Sequence, residues 1–401
     1  MKRMTYSELD GKSRGFYALL AGLGAIIAIA LGAAYYMEHH GHYVTGMNNQ
    51  VVWGMPHVFA IFLIVAASGA LNIASIGTVF KRKIYQPLGR LSGIFAIALL
   101  IGGLTVLVLD LGRPDRLIIA MTTYNFKSIF AWNIILYNGF IAVVAVYLWF
   151  MMERQMKKYY LYAGTLAFIW RLILTTGTGS IFGFLVARHA YDAAILAPMF
   201  IIMSFAFGLA AFILLLIPAY QWSNRALGDG VLLRLKSLLS LFIAAVFFFT
   251  VIYHLTNLYI TQHHDYEHFI LISGGVYTLL FWLGHIILGL LVPFALLYLP
   301  LGQTRQGMLI TSGLVVLGGF AQLYVIIIGG QAFPIEVFPN KEIIATGFFD
   351  GAVGQYSPSL PEFLLGLGGV AVALVMTVLA ARVLPFMPDS LADQYIDPHA
   401  K

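Results

Sequence analysis

Long unbroken stretches of apolar residues alternate with short polar joints along almost the whole chain. The apolar runs fall near 15–36, 53–80, 91–111, 128–152, 159–187, 193–219, 237–259, 268–299, 308–330 and 362–385. Each is long enough to cross the hydrocarbon core of a bilayer as a helix, which takes about 20 residues. None shows the period-two alternation over about 10 residues that marks a membrane strand. The pattern predicts an all-α integral membrane protein with ten crossings. The joints are basic or carry Gly and Pro, as in Lys81-Arg82-Lys83, Gly112-Arg113-Pro114 and Glu153-Arg154. The one long connection, 331–361, holds Pro334, Pro339, Pro358 and Pro361. Its length suits a partner-docking or site-covering role.

Composition agrees with the pattern. The chain is 60% hydrophobic and 10% charged, with a mean hydropathy of +0.87. Soluble domains carry about a quarter charged residues. The net charge of +6 reflects helix ends rather than a nucleic-acid surface. With ten crossings, both termini lie on one side. That side holds 17 Lys and Arg, against 5 on the other, and Arg171 lies within a span. The bias predicts cytoplasmic termini, with D-L-G-R-P-D-R (110–116) and 331–361 on the outer face. The N-terminal M-K-R-M-T-Y-S-E-L-D-G-K-S-R makes a poor signal peptide, so the first run reads as a retained helix. There is no cysteine, which removes thiolate-held iron–sulfur clusters and covalent c-type haem from the chemistry of this chain.

Charged and titratable groups at membrane depth are costly and mark function by default. Arg171 sits about twelve residues into its span, followed by Thr175, Thr176, Thr178 and Ser180. It reads as part of a hydrated proton path or, more plainly, as a packing residue bonded to neighbouring carbonyls. His57, after W-G-M-P, stands at the outer end of the second helix. Its imidazole suits proton exchange near neutral pH, and a packed structural His is the bland alternative. Trp53 alone reads as an interfacial belt residue. Asp110, Arg113, Asp115 and Arg116 form either a self-neutralising loop or the mouth of an interfacial site. In the second case Asp110 exchanges a proton, the arginines fix it, and Tyr124 and Trp132 line an aromatic slot. His254 and His285 lie in the seventh and eighth runs. Counted from the run ends, their depths differ by more than about 10 Å at about 1.5 Å per residue, so a shared bis-His haem is not expected. His39, His40, His42, His263, His264 and His268 cluster in two outer loops. They read as solvated or partner-facing residues, with a metal site as the sharper alternative. Segments after Pro56 (V-A-A-S-G-A-L) and Pro198 (S-F-A-F-G-L-A-A) echo each other, through close helix packing or through duplication of a four-helix unit.

W-G-M-P-H at 53–57, the small-residue helix that follows it and D-L-G-R-P-D-R at 110–116 resemble the NrfD/polysulfide-reductase family of membrane subunits. The stretch H-H-G-H-Y-V-T-G-M-N-N-Q-V-V-W-G-M-P-H is similar to the DsrP branch of that family, which serves the Dsr sulfite-reduction-associated electron transport complex. The resemblance implies two four-helix bundles, here 53–190 and 191–330. Flanking them are 1–52 (tail, first helix, outer loop) and 331–401 (outer loop, last helix, tail). It implies a menaquinone or ubiquinone site near the outer face, with His57 and Asp110 as catalytic acid–base groups. The expected binding set is Trp53, His57, Asp110, Arg113, Arg116 and Tyr124. The expected proton path is Arg171, Thr175, Thr176, His254 and His285. No haem, iron–sulfur cluster or other metal is expected on this chain. The implied partners are a periplasmic ferredoxin-like iron–sulfur subunit, a multihaem cytochrome and further membrane or cytoplasmic redox subunits. Together these make a quinol-dependent oxidoreductase complex of a bacterial or archaeal cytoplasmic membrane. The rival class is a proton- or ion-coupled transporter, which also uses buried Arg and His in repeated bundles.

Overall fold

The computed structural model describes residues 4–335 and 351–396. Residues 336–350 of the 331–361 connection therefore lie outside the described residues. Among the described residues, ten helices are long and apolar enough to span a membrane. They are α1 (Arg14–His40), α2 (Met55–Thr78), α3 (Lys83–Leu109), α4 (Ile129–Met152), α5 (Tyr160–Gly183), α6 (Leu196–Trp222), α7 (Asp229–Tyr259), α8 (Val276–Tyr298), α9 (Arg305–Ala332) and α10 (Leu360–Val383). The chain is an all-α integral membrane protein, as the hydropathy pattern predicts.

Two boundaries differ from that pattern. Helix α7 starts eight residues before the apolar run does, because G-V-L-L-R-L-K keeps helical spacing despite Arg234 and Lys236. Asp229 in its first turn suits the positive end of the helix dipole. The run 268–299 is not one helix. A short helix, His264–His268, passes through a wide π-type turn, Phe269–Ser273, to a break at Gly274–Gly275, where Gly275 has φ 59°. Further π-type turns occur at Leu280–Leu291 in α8 and Val325–Gly329 in α9.

Helix α2 is the most enclosed element and packs on α3, α5, α6, α9 and α10. An apolar surface all round is what such a position demands. Helices α3 and α4 pack together, as do α4 and α5. Among the later helices, α6 meets α7 and α9, and α8 meets α9. Helix α1 leans on α10, which rests on α3.

Helices α2 and α6 run in the same direction and touch backbone to backbone. A Cβ on Gly69 would fall 1.6 Å from the carbonyl oxygen of Ser204, and one on Gly208 would fall 2.2 Å from the amide nitrogen of Ala70. The two echoing segments thus pack against each other, which is the use of small residues that the sequence suggests.

The two chain ends meet on one face. Tyr6–Ser7 pairs antiparallel with Met387–Pro388, and Ala226–Leu227 pairs parallel with Ser390–Leu391. Arg225 donates to the carbonyl of Glu8 at 2.7 Å and approaches Asp389 at 4.0 Å, and Ser7 donates to Asp389. Arg90 lies over the Tyr6 ring at 4.0 Å. The opposite face, called the far face below, carries the 53–57 turn and the 110–127 connection.

Candidate functional site

The far-face end of α2 is shaped by W-G-M-P-H. Gly54 is the N-cap, and Pro56 occupies the first turn, where its missing N–H costs nothing. His57 follows within that turn. Helix α3 approaches antiparallel and ends at Leu109, leaving Asp110 as its C-cap. The geometry sets Nδ1 of His57 3.1 Å from Oδ2 of Asp110. The Asp110 side chain is 2% exposed and that of His57 24%. The two groups meet at ion-pair distance but are not aligned as a hydrogen bond, so neither carboxylate oxygen has a hydrogen-bond donor among the described residues. Asp110 also stands at the negative end of the α3 dipole, which gives a carboxylate no help.

A second imidazole completes the surround. His42, in the turn His42–Val44, bonds through Nε2 to the Asp110 carbonyl oxygen at 3.0 Å and lies 3.9 Å from Oδ1. The sequence places His42 with the solvated loop histidines, and the structure moves it into the site. Nothing in its local pattern distinguishes it from His39 or His40.

Trp53 lies beside His57, with ring centroids 6.2 Å apart and planes inclined by 27°. Its other neighbours are Phe130, Phe182 and Tyr191. It thus packs within this cluster of rings and against His57. Gln331 at the end of α9 holds its backbone: Oε1 accepts from the Trp53 N–H at 2.9 Å, and Nε2 donates to the Trp53 carbonyl at 3.0 Å. Arg188 donates to the carbonyls of Gln331 and Gln50 at 2.9 and 3.0 Å. Burial lowers the pKa of Arg188, but a guanidinium stays charged. Glu362, fully buried at the start of α10, braces the same turn. Its carboxylate accepts from the amides of Gly46 (2.9 Å) and Ser359 (2.7 Å) and from the Tyr356 hydroxyl (2.7 Å). Tyr356 Oη in turn accepts from the Met55 amide at 2.6 Å. Burial, with Glu362 adjacent, pushes the Tyr356 hydroxyl well up, so it remains a donor. A Cβ on Gly54 would lie 2.4 Å from Glu362 Oε1, so only glycine allows this approach. The S-L-P-E capping box at 359–362 signals this helix start, but not its partners.

The arginines of the 110–116 motif do something else. Arg113 forms a two-pronged pair with Asp115 at 3.0 and 2.9 Å, and both side chains are exposed. That contact raises the pKa of Arg113 and lowers that of Asp115. Arg116 is exposed as well. Neither arginine fixes Asp110. Tyr124 packs beside Phe126, which neighbours Trp132. Phe130 is the ring of this stretch that touches Trp53.

The expected proton-path residues do not form one chain. Arg171 is buried where α5 meets α2 and α6, donating to Asn72 Oδ1 at 2.7 Å, with its guanidinium over Phe168 and Phe205. Thr175 bonds to Ser68 at 2.6 Å and to the Arg171 carbonyl at 2.7 Å. Thr176 bonds only within its own helix, to the Leu172 carbonyl. His254 and His285 line one separate cavity. Their predicted separation in depth does not hold, because the break at Gly274–Gly275 moves the start of α8 toward His285. Among the described residues, no three His, Asp or Glu side chains gather in a metal-binding group.

The polysulphide reductase, NrfD family matches residues 43–336. The chain is 26% identical to an Hdr-like menaquinol oxidoreductase integral membrane subunit of Archaeoglobus fulgidus, over 98% of this chain and 99% of that protein. It is 22% identical to a selenate reductase subunit of Mesobacillus selenatarsenatis, over 92% and 93%. It is 26% identical to a polysulfide reductase chain of Wolinella succinogenes, over 71% and 96%. The family match takes in His57, Asp110 and the turns that hold them, and the chain belongs to the NrfD polysulphide reductase family of membrane proteins.

Proposed function

We propose that this chain is the quinone-exchanging membrane subunit of a multi-subunit respiratory redox complex. The carrying observation is the Asp110 carboxylate, buried without an aligned donor behind a part-exposed His57 that itself lies beside the Trp53 ring. That set fits a flat, hydroxyl-bearing ring: Trp53 offers a stacking face, and His57 offers a proton acceptor backed by a carboxylate. A bound quinol supplies two hydroxyl protons and two electrons. His57 takes a proton, and Asp110 Oδ2 compensates the imidazolium from Nδ1, as an orienting carboxylate does for a catalytic histidine. His57 releases that proton at the far face and then takes the second, so both hydroxyl protons leave through it, while His42 holds the Asp110 main chain in place. In the reverse direction His57 delivers the protons. Gln331, Arg188 and Glu362 position the turn and touch no reacting atom.

The charge bias supports cytoplasmic termini and an outer site in a bacterial or archaeal cytoplasmic membrane. The name of the Archaeoglobus fulgidus relative supports quinol chemistry, and menaquinol in particular. Electrons would pass to an iron–sulfur subunit docked against the exposed Arg113–Ile119 surface, with a multihaem cytochrome and further redox subunits beyond it. The helix pairings support two four-helix bundles, 53–190 and 191–330. The resemblance of 39–57 to the DsrP branch and the polysulfide reductase relative support a place in sulfur metabolism. Replacing His57 and Asp110 in the assembled complex and following quinol oxidation tests the assignment. Unchanged turnover in both variants would overturn it.

A further inference from the structure

Polar groups are also buried among α7, α8 and α9, away from His57 and Asp110. Glu267, in the short helix His264–His268, is fully buried. Its Oε2 lies 2.7 Å from Nδ1 of His254, and its Oε1 accepts from Asn257 at 2.8 Å. A buried carboxylate is costly unless it is paired and hydrogen-bonded. His254 forms its one ion pair among the described residues.

Next to this pair is a cavity lined by Thr250, Tyr253, His254, Phe281, His285 and Gln322, among others. It leaves about 20 Å³ for the centres of water molecules, room for one or two. Nδ1 of His285 and both amide atoms of Gln322 have no partner among the described residues. Nε2 of His285 reaches Thr250 at 3.3 Å. Polar groups left unpaired in a dry interior are destabilising. Three such atoms around one small cavity therefore point to water inside it. The π-type turns in α8 and α9 flank the same space. The other titratable groups facing the pair are Tyr253, Tyr266 and, through Asn257, His263.

We propose that Glu267 and His254 hold one exchangeable proton between them, and that cavity water connects this pair to His285 and Gln322. The loaded state is a carboxylate beside an imidazolium, and the unloaded state is a carboxylate beside a neutral imidazole. The released proton leaves His254 for cavity water and then Nδ1 of His285, with no electron moved. This is a second proton site, independent of the quinone reading. It also separates His254 and His285 from the Arg171 network.

Infrared difference spectra of the full-length protein in detergent, taken between pH 5 and pH 9 in H2O and D2O, test it. Histidine ring signals that titrate and shift on deuteration are expected. H254N, which can keep a donor toward Glu267, should remove the His254 signal. Q322L should shift its midpoint, and H57Q should leave it in place. A difference spectrum that H254N leaves unchanged would overturn the proposal. So would a midpoint that Q322L does not move. E267Q should also abolish the signal, and should E267Q not fold, H254N and Q322L still decide the outcome. Because no quinol turnover is read, failure of the quinone assignment would not change these outcomes.

Discussion

His57 and Asp110 are 53 positions apart in sequence, yet their side chains meet at 3.1 Å where α2 begins and α3 ends. Each residue alone has an ordinary explanation, as a packed histidine or as a loop carboxylate. Together they form a buried acid whose access to the outside runs through an imidazole. In this arrangement the carboxylate stands at ion-pair distance from the imidazole, without an aligned hydrogen bond between them.

Replacing Asp110 with Asn keeps the shape and removes the counter-charge. Quinol turnover of the assembled complex should fall by about 10²–10⁴-fold, the usual worth of a positioned acid–base group. Helical content by circular dichroism should stay at the native level. Turnover close to that of the native complex would remove Asp110 from the chemistry.

His42 touches the same carboxylate from the far-face side. The change His42→Phe should slow turnover by about 10-fold or more, the scale of an outer-shell partner, while quinol affinity is retained. A direct binding titration beside a turnover assay separates the two. Lost affinity with normal turnover at saturation would make His42 a wall of the binding site instead.

The Gly69–Gly208 contact leaves no room for a side chain. Gly208→Val should destabilise the folded protein by about 1–3 kcal/mol or more, the scale of overpacking. The thermal midpoint in detergent should drop. Gly313→Ala, at a position open to its surroundings, is the control and should leave the midpoint close to native.

The pairing of the two chain ends should depend on acid. Hydrogen bonds from Ser7 and Thr5, and then the nearby Arg225, hold the Asp389 carboxyl below its usual range. A depressed folded pKa gives stabilisation that is present above the ordinary carboxyl pKa of about 4 and is lost as pH falls through the folded value. Amide exchange at residues 4–10, corrected for intrinsic rates, should rise as pH drops below about 4. In D389N it should be faster already at neutral pH and nearly flat toward acid.

Hydropathy made the ten spans legible because crossing a bilayer is a cost each segment meets on its own. It missed the first turns of α7, where charge masks a helix, and the break in 268–299, where apolar residues hide one. The W-G-M-P-H and D-L-G-R-P-D-R motifs located His57 and Asp110. Their supports were not legible. Gln331 reaches Trp53 across 278 positions and Glu362 reaches Gly46 across 316. His42 looks like its solvated neighbours until α3 ends against it. Where a buried polar residue finds its partner on another element, no local periodicity encodes which one.

Where α2 and α6 touch, no side chains intervene to slide past one another. A carrier that rocks its halves about a central substrate must part such a seam and close it again in every cycle. Here parting it would open the Gly69–Ser204 and Gly208–Ala70 main-chain contacts. The two helices are thus joined through their main chains as one unit.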